Sequence, residues 1–137
     1  MPRIYLDANV VIYLIQNTSN ASQVRNYLQA QTDSVLCSSN LSLLECMVLP
    51  FQQANQQLQQ RFLAFFQSLE MIPARRQVFL RAAQIRAATQ LRTPDALHLA
   101  FASYGKCDVL LTGDAQIGRK WQQNRLGFTY PTQVVVI

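Results

Sequence analysis

Short apolar runs alternate along this chain with longer stretches of helical periodicity. Arg3-Ile4-Tyr5-Leu6 is a β-type run that stops at a charged residue, Asp7. Asn9 to Gln16 continues as an apolar helix, and Ser22 to Gln31 sets Val24, Tyr27 and Leu28 at helical spacing. Ser34-Val35-Leu36-Cys37 predicts a second strand. Ser38, Ser39 and Asn40 then offer cap residues to a helix over Leu41 to Val48. Pro50 separates that helix from a glutamine-rich one, Gln52 to Ser68, whose Leu58, Phe62, Phe65, Phe66 and Leu69 form an apolar stripe. Met71-Ile72 is a very short strand before Pro73, and Gln77 to Leu91 reads as a helix. The next helix opens at Thr93-Pro94, with Thr as N-cap and Pro at the first helical position, runs from Asp95 to Tyr104 and stops at Gly105. Asp108 to Thr112 is the clearest buried strand. Gly113-Asp114 turns the chain, a short helix follows to about Asn124, and Val134 to Ile137 is a last β-branched run. Strands separated by helices predict an α/β fold: a central parallel sheet of four to five short strands, covered by helices on both faces.

The length, 137 residues, fits one domain over 1–137, and a composition half apolar excludes disorder. No basic start followed by a long apolar run marks a secretory signal, and the Val10–Ile15 stretch is too short to span a bilayer, so a cytoplasmic protein is expected. Cys37, Cys46 and Cys107 form no CxxC pair. An odd count in apolar contexts predicts buried free thiols rather than a disulfide framework or a zinc site.

The net charge of +5 is unevenly spread. Residues 1–70 carry three basic residues against four acids, and residues 71–137 carry nine against three. A basic half suits either a polyanionic partner, nucleic acid being the commonest, or simply a soluble surface. Only seven acids are present, so their positions among apolar neighbours need a reason. Asp7 ends the first strand and Asp114 lies just past the fourth, which puts both at the rim where α/β sheets form their sites. Asp95 sits in the first turn of a helix, and Glu45 lies mid-helix in Leu43-Leu44-Glu45-Cys46-Met47-Val48. Each has a structural alternative: helix caps for Asp7 and Asp114, a dipole position for Asp95, a buried arginine partner for Glu45. Gathered together, four carboxylates would need a cation. His98 is the single histidine, so an oxygen-only ligand set favours Mg²⁺ or Mn²⁺. An acidic metal pocket beside a basic flank suits phosphodiester hydrolysis.

Four segments in order carry a family resemblance over nearly the whole chain: Tyr5-Leu6-Asp7-Ala8-Asn9, Glu45 in the third helix, Thr93-Pro94-Asp95-Ala96-Leu97-His98-Leu99-Ala100, and Leu110-Leu111-Thr112-Gly113-Asp114. The chain resembles PIN-domain ribonucleases, and within them the VapC-type toxins of bacterial toxin–antitoxin pairs. The resemblance implies a PIN-like fold and a Mg²⁺- or Mn²⁺-dependent endoribonuclease. Asp7 and Asp95 would be the leading metal ligands. Glu45 and Asp114 would complete the acidic set, directly or through water, and Asn9 and Thr112 would hydrogen-bond carboxylates or water. It also implies RNA as substrate, transfer RNA among the candidates, together with a homodimer and an antitoxin whose tail covers the site. Gly113 departs from the family, which often has Asn there.

His98 follows Asp95 by three and shares its helix face; a core or helix-face histidine is the plainer reading, a proton shuttle the sharper one. For RNA phosphates the candidates are Arg86, Arg92, Arg119 and Lys120, drawn from a basic set that also holds Arg75, Arg76, Arg81 and Arg125. Trp121 and Tyr130 suit core packing better than base stacking. The competing function is a non-catalytic PIN-like RNA- or protein-binding module. A phosphohydrolase with Asp7 as nucleophile ranks last, because Asn9 stands where a haloacid-dehalogenase-type site wants a second Asp.

Overall fold

A computed structural model describes residues 1–123 and 132–137. Its strands are β1 (Arg3–Leu6), β2 (Val35–Ser38), β3 (Glu70–Met71), β4 (Val109–Thr112) and β5 (Gln133–Val136). The helices among the described residues are α1 (Ala8–Gln16), α2 (Ala21–Ala30), α3 (Asn40–Gln52), α4 (Gln56–Gln67), α5 (Arg76–Thr89), α6 (Thr93–Tyr104) and α7 (Ala115–Gln123). The strands form one sheet in the order β3-β2-β1-β4-β5, with every pair parallel.

β1 lies at the centre and alternates with the strand period of two. Tyr5 faces one core together with Leu110 of β4, Val78, Ala82 and Ile85 of α5, the apolar face of α6, and Ile117 and Trp121 of α7. Ile4 and Leu6 face the other core with Leu111 and the buried sides of α1, α2, α3 and α4. The sheet is thus the middle of three layers, as the element order predicts. Cys37, Cys46 and Cys107 are all buried free thiols, as expected from their apolar contexts. No helix among the described residues is long and apolar enough to cross a membrane.

Several boundaries differ from the sequence reading. Pro50 does not separate two helices; it lies inside α3, buried, and the break comes at Gln53–Asn55, where Ala54 takes a φ of 50°. Asn55 then caps α4 by accepting from the Leu58 N–H at 3.1 Å. Arg92, not Thr93, occupies the N-cap of α6, so Pro94 comes one position later than predicted, where its missing N–H is still harmless. Gly105 follows α6 with a φ of −76°, and the left-handed residue is Lys106. What requires glycine at 105 is space: a Cβ there would lie 2.4 Å from Ile72 Cδ1. The third strand is Glu70–Met71, one residue earlier than predicted. Asn124, Arg125 and Tyr130 lie outside the described residues.

Candidate active site

Register places the first carboxylate. Tyr5 pairs with Leu110 and Leu6 with Leu111, so the next residues of β1 and β4, Asp7 and Thr112, emerge side by side at the C-terminal rim. The Asp7 N–H donates to Leu111 O at 3.2 Å, continuing the ladder by one residue. Asp7 is 3% exposed and uses both carboxylate oxygens: Oδ1 accepts from the Val10 N–H at 3.1 Å, capping α1, and Oδ2 accepts from the Thr112 hydroxyl. The capping role foreseen for Asp7 is therefore real and coexists with its place in the site. Burial pushes its carboxyl above the ordinary range and Glu45 adds to this, while His98, Thr112 and Val10 N–H oppose it.

Asp7 shares a cavity of about 40 Å³ with Ala8, Asn9, Glu45, Asp95 and His98. Glu45 projects into it from the middle of α3. Its partner is not an arginine: Oε1 lies 2.6 Å from His98 Nε2. Asp95 comes from the first turn of α6 and is held at 3.5 Å by Arg92 Nε. Burial raises the Asp95 carboxyl, and the nearby Asp114 charge raises it further, against the pull of Arg92 and His98. Asp114 stands beside this cavity rather than in its lining. Its N–H donates to Thr112 Oγ1 at 3.0 Å and its Oδ1 accepts from the Gln116 N–H at 2.8 Å, at the entry to α7.

Three of the four acids named from sequence thus line one cavity, and the fourth acts on Asp95 through its charge. Thr112 links Asp7 to Asp114, donating to one and accepting from the other. Asn9 lines the cavity from an exposed position. Gly113, the departure from the family pattern, faces Tyr13: a Cβ at 113 would lie 2.5 Å from the Tyr13 hydroxyl.

The donor set is oxygen-rich, and the cavity of about 40 Å³ has room for water beside the carboxylates, one water needing roughly 10–15 Å³ of such space. Among the described residues no group of three or more Asp, Glu, His or Cys side chains is placed to hold a metal ion. The oxygen donors present are of the kind that suits a divalent cation taking one or two carboxylates and keeping several waters, rather than a structural zinc.

The basic candidates divide. Arg92 is 80% exposed at the mouth of the acidic cavity. Arg86 is tied to the loop before α6, through Leu91 O at 2.9 Å and Thr93 Oγ1 at 3.0 Å. It lines a larger, mostly apolar groove with Phe79, Ala82, Ala83, Thr93 and Leu97. At about 100° per residue, Thr93 and Leu97 leave α6 on the side away from Asp95 and His98, so that groove does not open beside the acids. Arg119 is exposed and Lys120 half-buried on α7. Trp121 is core, its indole N–H donating to Thr132 O at 2.7 Å. Tyr5, Ser39 and Tyr13 show no functional role in the sequence, because an aromatic in a strand or helix and a serine before a helix carry no site signal by themselves.

No curated protein matches the chain. Its fold is shared by VapBC2 from Rickettsia felis, solved on a DNA fragment from its promoter, with a TM-score of 0.76, 15% identity and 98% of each chain covered. A toxin–antitoxin complex from Klebsiella pneumoniae matches at a TM-score of 0.69 and 22% identity, covering 97% of this chain and 96% of that one. VapC20 from Mycobacterium tuberculosis, a sarcin-ricin loop cleaving toxin, matches at 0.67 and 16%, covering 94% and 98%. The PIN domain family model matches residues 4–120, most of the chain and every acid of the site, and the protein belongs to the PIN domain family.

Proposed function

We propose that this chain is a divalent-metal-dependent endoribonuclease and the toxin of a toxin–antitoxin pair, built as one PIN domain and working in the cytoplasm as a homodimer. The observation that carries the reading is the cavity shared by Asp7, Glu45 and Asp95, with Asp114 close enough to raise Asp95. A buried carboxylate held on both oxygens and facing other acids is costly to keep unless a cation belongs there. Asp7 and Asp95 would hold Mg²⁺ or Mn²⁺, with Glu45 and Asp114 completing the set directly or through water. Bound there, the ion supplies Lewis-acid activation of a phosphodiester and of water. The chain's own part is orientation: Thr112 and Val10 N–H fix Asp7, and Arg92 stands exposed to meet a substrate phosphate. The substrate is single-stranded or loop RNA, transfer RNA among the candidates. The structural relatives that are toxin–antitoxin complexes support an antitoxin as partner.

Asp7→Asn should abolish RNA cleavage while leaving the melting temperature unchanged or higher. Full activity with a lower melting temperature would sink the reading. The second reading, a PIN-like binding module, draws support from the open arrangement of the acids. Calorimetric titration with Mn²⁺ separates the two, since the module would take up no metal.

A further inference from the structure

Glu45 reaches the acidic cavity as the end of a hydrogen-bonded chain that runs through the core. His98 is 4% exposed; its Nε2 is 2.6 Å from Glu45 Oε1, and its Nδ1 is 2.9 Å from the Tyr5 hydroxyl. Tyr5 is wholly buried on the central strand, with its ring edge-on to the imidazole. The Tyr5 oxygen is in turn 2.7 Å from Ser39 Oγ and 3.5 Å from Ser42 Oγ. Ser39 is the N-cap of α3, a position where serine normally accepts from the first helical N–H groups. Its hydroxyl makes no such cap bond and goes to Tyr5 instead.

For a neutral ring the partners set the direction of the chain. The Glu45 carboxylate only accepts, so such a ring carries its proton on Nε2. Nδ1 is then an acceptor, which the Tyr5 O–H supplies, and the Tyr5 oxygen accepts from serine. Ser42 Oγ also lies 3.2 Å from Leu6 O, which draws its proton there and leaves Ser39 as the donor to Tyr5. Three elements, β1, α3 and α6, are joined by these contacts directly beneath the site.

We propose that His98 is a positioning residue of this site: braced at Nδ1 by the Tyr5 hydroxyl, it holds Glu45 by one oxygen and leaves the other facing the cavity. The inference rests on the nuclease reading and adds to it a residue that sequence alone reads as ordinary core. It also separates the acids by role. Asp7 is held by backbone and threonine, whereas among the described residues Glu45 takes its direction from one imidazole. Groups that orient metal-binding carboxylates typically cost about 10–100-fold in metal affinity or activity when removed.

His98 is the only histidine, so its ring signals need no assignment by mutation. Long-range ¹H–¹⁵N NMR on the metal-free chain should find the neutral ring protonated on Nε2 with Nδ1 accepting; a ring protonated on Nδ1 alone would overturn the proposal. In parallel, Mn²⁺ binding by calorimetry and cleavage of a single-stranded RNA are measured for four variants. His98→Ala should lower Mn²⁺ affinity and kcat about 10–100-fold with KM for RNA little changed. His98→Gln, whose amide can still donate to Glu45, should recover much of both, and Tyr5→Phe should weaken both without touching the cavity wall. Should His98→Ala fail to fold, His98→Gln and Tyr5→Phe carry the test: changed melting temperatures with wild-type Mn²⁺ affinity and kcat would overturn the positioning role. Asp7→Asn is the control. If the wild type binds and cleaves, Asp7→Asn does neither and the His98 variants match the wild type, only the positioning role falls. A wild type that neither binds Mn²⁺ nor cleaves removes the nuclease reading and this role with it.

Discussion

At the scale of single residues, Asp7 sets the pH behaviour of the metal-free protein. Its folded-state carboxyl is raised above the ordinary value, chiefly by burial. Between the unfolded and folded pKa values the native state therefore holds more protons than the unfolded chain, so stability falls as pH rises through that window. Asp95 is raised as well and adds to the same slope. Without metal, the melting temperature should decline as pH rises above the ordinary carboxylate range, and Asp7→Asn should flatten that decline. At pH values above the ordinary carboxylate range Asp7→Asn should melt higher than the wild type. Scanning calorimetry across pH checks both; a wild-type melting temperature that rises over this window would contradict the burial argument. A second prediction concerns Gly113. The Tyr13 hydroxyl and ring occupy the place a side chain at 113 would fill. Restoring the family's asparagine with Gly113→Asn should destabilise by about 1–2 kcal/mol through overpacking. In a Tyr13→Ala background, itself less stable because Tyr13 packs against the core, the same change should cost much less, which urea unfolding of the single and double variants will measure.

Among the elements, the tie between α7 and β5 carries a clear cost. The buried Trp121 N–H donates to Thr132 O at the entry to β5, and Gly118 packs so closely that a Cβ would lie 3.3 Å from Val136 Cγ2. Trp121→Phe keeps an aromatic ring but removes the donor, and should cost about 2 kcal/mol in urea unfolding followed by circular dichroism. An unchanged midpoint would show that the bond contributes nothing net. The elements themselves were largely legible, because β1, β4 and the amphipathic helices announce themselves by periodicity. The errors fell where periodicity is silent. Nothing in Val48-Leu49-Pro50-Phe51 says that a proline will sit inside the helix, and Thr93-Pro94 offers a good cap that Arg92 takes instead. Asp7 and Asp114 could be placed by strand-end logic alone. Glu45 and Asp95 could not, because a helix-borne side chain reaches a site only if its helix packs with the right rotation, and that is set by the core. The His98–Tyr5 contact joins residues 93 positions apart and leaves no local trace.

For the molecule as a whole, the site is a property of the folded state alone. Asp7, Glu45 and Asp95 come from three separate segments that sheet register and helix packing bring to one cavity, and Asp114, from a fourth, stands beside it. An unfolded chain offers no such set, so a divalent ion should bind the native state selectively and stabilise it by mass action. At a free Mn²⁺ concentration a hundred times its Kd the gain is about 2.7 kcal/mol, which in a domain of this size raises the melting temperature by on the order of 10 °C. Chelation should reverse the shift in full. Asp7→Asn provides the decisive comparison, because removing one buried charge relieves the metal-free protein while taking away a ligand. Its melting temperature should lie above wild type in chelator and below wild type in Mn²⁺, so the two thermal profiles exchange order as metal is added. Curves that rise in parallel would place the stabilising ion somewhere other than at Asp7. Curves that do not move at all would mean that the acids face one another without a cation, leaving the raised carboxyls of Asp7 and Asp95 as a cost carried by the fold itself.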